Sequence, residues 1–213
     1  AVVVSFVYAS SSAIYGYHPG FPKVENEIGE PLSPYALSKW MDEEYAANFA
    51  RVYGFKSIGL RYFNVYGARQ DPNGPYAAVI PRWIEALLLG NPCIINGDGE
   101  TSRDFCHVAN VVQANLLAAT SESANAWNEA YNIALGNRTT LNELFFILRD
   151  AVAATNPAVA EMQPVYAPFR AGDVRHSLAD IGKAQQLLGF APLVHVEEGL
   201  PMTVDAYVRA LER

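Results

Sequence analysis

Apolar positions fall into two spacings along the chain. Residues 2–9, VVVSFVYA, form an almost continuous apolar run, which reads as a buried strand. From about 34 to 53 the spacing becomes helical, with Ser33 as an N-cap, Pro34 at the first helical position and Gly54 as the stop. KSIGLRYF, 56–63, is a second strand, so the order is strand, loop, helix, strand, which implies a parallel sheet covered by helices. A loop rich in Gly, Pro and Asn follows at 64–78, then a helix, VIPRWIEALLLG, running to Gly90. CIINGDGETSRDF reads as a short strand, a turn and another short strand, and HVANVVQANLLAAT as a packed helix. AYNIALG is a further strand. The rest reads as a helix over 140–155, a strand near QPVYAP, a loop FRAGDVRHS, and helices near 180–188 and 197–211.

Composition narrows the class. With 51% hydrophobic and 17% charged residues in 213, the chain is globular. The net charge of −7 is dispersed and no basic run is present, which argues against a nucleic-acid partner. Cys93 and Cys106 are the two cysteines, too few for a disulfide framework and without metal-ligand spacing; no metal and a reducing cytoplasm are expected. The opening apolar run is too short to span a bilayer and lacks the basic start of a signal peptide, so no membrane partner is expected. Because the chain begins inside a strand, the expectation is that an N-terminal part is missing.

Tyr35 and Lys39 lie four residues apart on the helix, hence on one face. An ammonium beside a phenol favours the phenolate, which is how a tyrosine becomes a base. That spacing alone is common. It gains meaning from ASSSAIYG, residues 9–16, which puts three hydroxyls at the carboxyl end of the first strand, where open α/β sheets bind ligands. Serine, tyrosine and lysine in this order can oxidise an alcohol by hydride transfer to a nicotinamide.

At this point the chain resembles the extended short-chain dehydrogenase/reductases, in particular their UDP-N-acetylglucosamine (UDP-sugar) 4-epimerase branch. SSSAIYG, SPYALSK, GLRYFNVYG, DPNGPYAAVIP, INGDGETSRDF and FRAGDVRHSLADIGKA occur in the family's order. The resemblance implies NAD as cofactor and a UDP-sugar as substrate, epimerised at C4 through transient oxidation. It implies Tyr35 as the base, Lys39 as the residue that activates it and holds the nicotinamide ribose, and Ser11 as the hydroxyl that bonds the reacting oxygen. Ser12 is placed against the sugar and Phe63 beside the nicotinamide. Asn64, Arg103 and Arg170 are placed on the diphosphate, Asp173 on the uridine ribose, and Ser177 beside the sugar C2 substituent. Related 4,6-dehydratases usually carry Asp-Glu where this chain has Ser12 and Ala13, which disfavours dehydration. A small Ser177 leaves room for an N-acetyl group.

Plainer roles exist for several of these residues. Ser11 is also a natural turn or helix cap, Arg103 has Asp104 or another acid as an ion-pair partner, Arg170 has Asp173, and Phe63 is a natural core residue. His107 and His176 lack the Gly-x-Ser-x-Gly elbow of a serine hydrolase. UDP-glucose or UDP-glucuronate epimerisation, another nucleotide-sugar dehydratase or reductase, and a non-catalytic nucleotide sensor are the alternatives. No Gly-x-Gly-x-x-Gly occurs in the sequence. The expected fold is therefore α/β, the later part of a doubly wound, Rossmann-type parallel sheet plus a smaller C-terminal α/β domain. Residues 1–67 and 104–136 would be what remains of the NAD-binding unit, with 68–103 and 137–213 forming the sugar-nucleotide unit. A homodimer is expected through the helix carrying Tyr35, with Trp40, Tyr45 and Phe49 available to it.

Overall fold

The computed structural model describes residues 5–74, 78–170, 172 and 174–211. Strand β1 (Phe6–Ser11) leads through a short 3-10 turn (Ser12–Tyr15) and a loop to helix α1 (Pro34–Tyr53), then to β2 (Ser57–Tyr62). Local chemistry sets the bounds of α1. Ser33 Oγ accepts from Ala36 N at 3.1 Å, Pro34 occupies the first turn, and Gly54 closes the helix in the left-handed region at φ 64°. β2 pairs in parallel with β1 and with β7 (Glu129–Ile133), so the order is β1-β2-β7. This is the parallel α/β arrangement expected from the sequence. The first strand runs on to Ser11, so Ser10 and Ser11 belong to the strand rather than to the loop after it.

Beyond β2 the chain passes into a second layer. β3 (Asn64–Tyr66) pairs with β6 (Phe105–His107), and β4 (Ile94–Asn96) pairs with β9 (Val165–Ala167), both in parallel. β5 (Ser102–Arg103) pairs with β8 (Thr139–Thr140) in antiparallel fashion. Helices α2 (Val79–Leu88), α3 (Val108–Ala119), α4 (Leu141–Ala153), α5 (Gly182–Leu188) and α6 (Val196–Leu211) complete the fold. A capping box between Thr140 and Glu143 starts α4, and α6 accommodates Pro201 inside its length. Among the described residues no helix is long and apolar enough to cross a membrane.

Two apolar cores result. One lies under the parallel sheet, with Ile14, Tyr15, Ile58, Leu60, Tyr131 and Ile133 at its centre. The other lies between α2, α4 and α6, around Trp83, Ile84, Phe145, Leu148 and Leu200. Ala179 to Phe190, although well beyond residue 137, pack on the sheet core. Trp40 also packs there, whereas Tyr45 and Phe49 stay exposed.

Only Ala36 of α1 is fully buried, so apolar packing holds this helix weakly. A buried ion pair holds it instead. Arg61 of β2 bonds Glu43 of α1 through two nitrogens, at 2.9 and 2.7 Å, and also donates to Tyr15 Oη at 2.9 Å and Glu25 O at 2.8 Å. Burial pushes the Tyr15 phenol up to about 12, so it remains a donor and gives its proton to Asn132 Oδ1 at 2.6 Å. A second buried group, Asp104, joins the layers: its carboxylate accepts from Leu135 N at 2.9 Å, Gly136 N at 3.1 Å and Ala179 N at 3.2 Å. Burial pushes Asp104 up from the ordinary 3.8 to about 7, against the downward pull of those three donors.

Two outcomes are expected. Glu43→Ala leaves Arg61 charged and buried without its partner and lowers unfolding stability by about 3–5 kcal/mol in urea titrations. Because the folded state of Asp104 holds its proton more tightly than the unfolded state, its contribution is full below about pH 4 and is lost as pH rises to about 7. The unfolding free energy of the wild type minus that of Asp104→Asn therefore falls across this window, and a flat difference would contradict the assignment.

Candidate active site

The parallel strands end at a cleft between the two cores, where the chain switches partners. Phe63 N still donates to Ile133 O of β7 at 3.2 Å, while Asn64 N donates to Asp104 O at 3.2 Å, beside β6. Phe63 and Asn64 therefore sit at the seam. Phe63 is 5% exposed and packs in the sheet core at 6.1 Å from the Tyr15 ring, yet it also lines the cleft.

The three serines at the end of β1 separate in role. Ser10 donates to the Glu43 carboxylate and so serves the Arg61 network. Ser11 Oγ accepts from Ala13 N at 3.2 Å, capping the 3-10 turn. The plain cap role weighed for Ser11 is thus present, and the hydroxyl still has its own proton to donate. Ser12 lines the cleft.

Tyr35 is in the first turn of α1 and is 55% exposed, next to Ser33 and Ala36, which line the cleft; Tyr35 is not among the lining residues. Lys39 Nζ donates to Ala9 O at 3.0 Å and to Asp42 Oδ2 at 3.2 Å, which leaves one of its three N–H groups for a ligand. Neither partner was foreseen from the sequence, because the helical spacing marks Tyr35 and says nothing about a strand carbonyl or a carboxylate three residues on.

The cleft comprises two adjoining cavities. The first, about 310 Å³, is lined by Ser12, Lys23, Phe63, Asn64, Arg103 and Ser177 among others. The second, about 250 Å³, is lined by Asn64, Trp83, Asn96, Thr101, Arg103 and Arg170 among others. Asn64 and Arg103 belong to both, so residues scattered over more than a hundred positions meet in one groove. Arg103 Nη1 donates to Ser102 O at 3.0 Å and to Arg175 O at 3.3 Å. Asp104, the ion-pair partner weighed for Arg103, turns inward onto its three backbone donors. Asn64 Nδ2 donates to Asp104 O at 3.3 Å. Asp173 lies outside the described residues.

Around Arg103 the charge is positive beyond what was expected. Arg175 pairs with Asp98 at 2.6 Å and stands over the Phe169 ring at 5.3 Å. Ser102 Oγ and His176 Nδ1 are 2.8 Å apart, and burial, followed by the charges of Arg138, Arg175 and Arg103, holds His176 below its ordinary value. His176 and Arg175 were visible in FRAGDVRHS, but only the return of that segment against β5 brings them to Arg103: Ser102 N donates to Arg175 O at 3.0 Å. Lys23 had no marker at all in the sequence.

Known proteins share this fold. The profile of the NAD dependent epimerase/dehydratase family matches residues 1–134. A putative UDP-glucose 4-epimerase of Methanocaldococcus jannaschii is 41% identical over 200 residues, which cover 93% of this chain and 61% of that protein. A UDP-glucose 4-epimerase of Mycolicibacterium smegmatis is 34% identical over 93% of this chain and 60% of its own length. Among solved structures, the UDP-N-acetylglucosamine 4-epimerase of Methanobrevibacter ruminantium, in complex with UDP-N-acetylmuramic acid, superposes with a TM-score of 0.89 at 41% identity, covering 98% of this chain and 64% of that one. This chain thus spans about three fifths of the length of these relatives. With the match extending over more than half of its residues, the chain belongs to the NAD dependent epimerase/dehydratase family.

Proposed function

We propose that this chain supplies the base, the sugar site and the diphosphate site of an NAD-dependent UDP-sugar 4-epimerase, with UDP-N-acetylglucosamine and its C4 epimer, or their uronic acid forms, as substrates. The observation that carries this is the shared groove, in which Ser12, Asn64, Arg103, Arg170 and Ser177 converge beside the helix that bears Tyr35 and Lys39. The relatives named above carry the names of UDP-sugar 4-epimerases, one of them of a UDP-N-acetylglucosamine 4-epimerase.

The residues present fit the nicotinamide end of NAD: Lys39 keeps a donor for a ribose hydroxyl at the end of β1, and Phe63 offers an apolar face. The sequence contains no Gly-x-Gly-x-x-Gly for the pyrophosphate. When bound, NAD+ supplies the hydride acceptor. The chain's own residues handle the proton and the orientation. Tyr35 Oη takes the proton from the sugar 4-hydroxyl and later returns it, with Lys39 one turn further along the same helix. Ser11 donates its hydroxyl proton to the same sugar oxygen, its cap bond to Ala13 N holding the side chain in place. Arg103 and Arg170 grip the diphosphate, where a guanidinium's paired donors match phosphate oxygens, and Asn64 adds an amide donor. Asp173 takes the uridine ribose, and Ser177 leaves space beside the C2 substituent. An overall charge of −7 is compatible with a dianionic diphosphate because the arginines are local.

UDP-glucose or UDP-glucuronate 4-epimerisation is the second reading, favoured by relatives that carry those names. Tyr45 at 61% and Phe49 at 48% exposure on α1 fit a homodimer contact in the whole protein. Tyr35→Phe is expected to lower turnover of UDP-N-acetylglucosamine by roughly 10²–10⁴-fold while leaving its affinity unchanged, and unchanged turnover would sink the base assignment. Arg103→Ala is expected to weaken UDP-sugar binding by roughly 10–100-fold, measured by calorimetry.

A further inference from the structure

Lys23 lines the same cavity as Ser12, Asn64, Arg103 and Ser177, and is only 8% exposed. Its backbone is locked. Lys23 N donates to Leu178 O at 2.8 Å, and Lys23 O accepts from Asp180 N at 2.9 Å and from Asn132 Nδ2 at 2.9 Å. The residue is thereby clamped between β7 and the segment that carries Ser177. Its ammonium donates to His18 O. Among the described residues no carboxylate lies within 4.0 Å of that ammonium. Burial draws its pKa down.

A buried cation without a counter-ion is strongly unfavourable unless something else meets it. One of the ammonium's three donors is taken by His18 O, which leaves two without an acceptor among the described residues of the cavity it lines. Arg103, lining the same 310 Å³, is the cation assigned to the diphosphate, so Lys23 is a second positive charge for a second anionic group. A neutral hexose linked to a nucleoside diphosphate has no such group. A hexuronic acid has one, the carboxylate on C6.

We propose that Lys23 is a specificity residue that recognises the carboxylate of a nucleotide-linked uronic acid. This rests on the nucleotide-sugar reading above and narrows it to the acidic sugars.

The test compares the affinities of the NAD-loaded protein for UDP-glucuronate and UDP-glucose by isothermal titration calorimetry, in the wild type, Lys23→Met and Lys23→Arg. The wild type is expected to prefer the uronate. Lys23→Met is expected to lose roughly tenfold or more on UDP-glucuronate and less than about twofold on UDP-glucose, while Lys23→Arg keeps the preference. The ratio of two affinities within one variant does not depend on its folded fraction, and Lys23→Gln provides the same ratio if the Met variant does not fold. An unchanged ratio overturns the role of Lys23 and leaves the nucleotide-sugar reading standing. Failure of the wild type to bind either UDP-sugar overturns that reading and this proposal with it.

Discussion

The arrangement of the candidate site depends on one buried ion pair. Arg61 is 3% exposed in the middle strand of the parallel sheet, and its guanidinium reaches three parts of the chain at once: Glu43 on α1, Tyr15 in the turn after β1, and the carbonyl of Glu25 in the following loop. Tyr15 passes the connection to Asn132 of β7, whose amide donates to Lys23 O and Asp180 O. A planar group with five donors suits such a junction, since four of its N–H groups meet fixed acceptors in a buried interior. Helix α1, with Ala36 as its one fully buried residue, keeps its angle to the sheet through this pair more than through apolar contact.

The cleft itself follows from an exchange of partners. At Phe63 the chain leaves β7, and at Asn64 it joins β6, so two cores form on either side of a seam. Asp104 keeps the seam from opening. It gathers backbone N–H groups from Leu135 and Gly136, just after β7, and from Ala179 in the returning segment. Arg103, one residue before it, points the other way, into the groove. Alternation along an extended chain thus places a structural acid inside and a ligand-facing cation outside.

Much of this was legible in the order of residues. Ser33, Pro34 and Gly54 marked α1 to the residue, and the strand-helix-strand order implied the parallel sheet. The hydroxyls of residues 10–12 drew attention to the end of β1, although Ser10 serves Glu43 and Ser11 caps a turn. What the pattern did not reveal were β3 and β8, strands of three and two residues, too short for any alternation to register. Lys23, Glu43 and Asp42 also passed unnoticed, because a charged residue in a loop or on a helix face reads as solvated surface until a distant segment covers it.

By itself the sequence determined the local elements, the side-chain chemistry available at the end of the first strand, and the pairing of Tyr35 with Lys39 on one helical face. These depend on neighbours within one or two turns, where backbone geometry is set by caps, periodicity and sterics. Only the tertiary structure decided that Arg103, Arg170, Ser177 and Lys23 meet in a groove with Ser12 and Asn64, and that Arg61 and Asp104 are buried rather than exposed. Those contacts join residues up to 165 positions apart, from Ser12 to Ser177. Their geometry comes from the packing of two cores against each other, which no short window of sequence encodes.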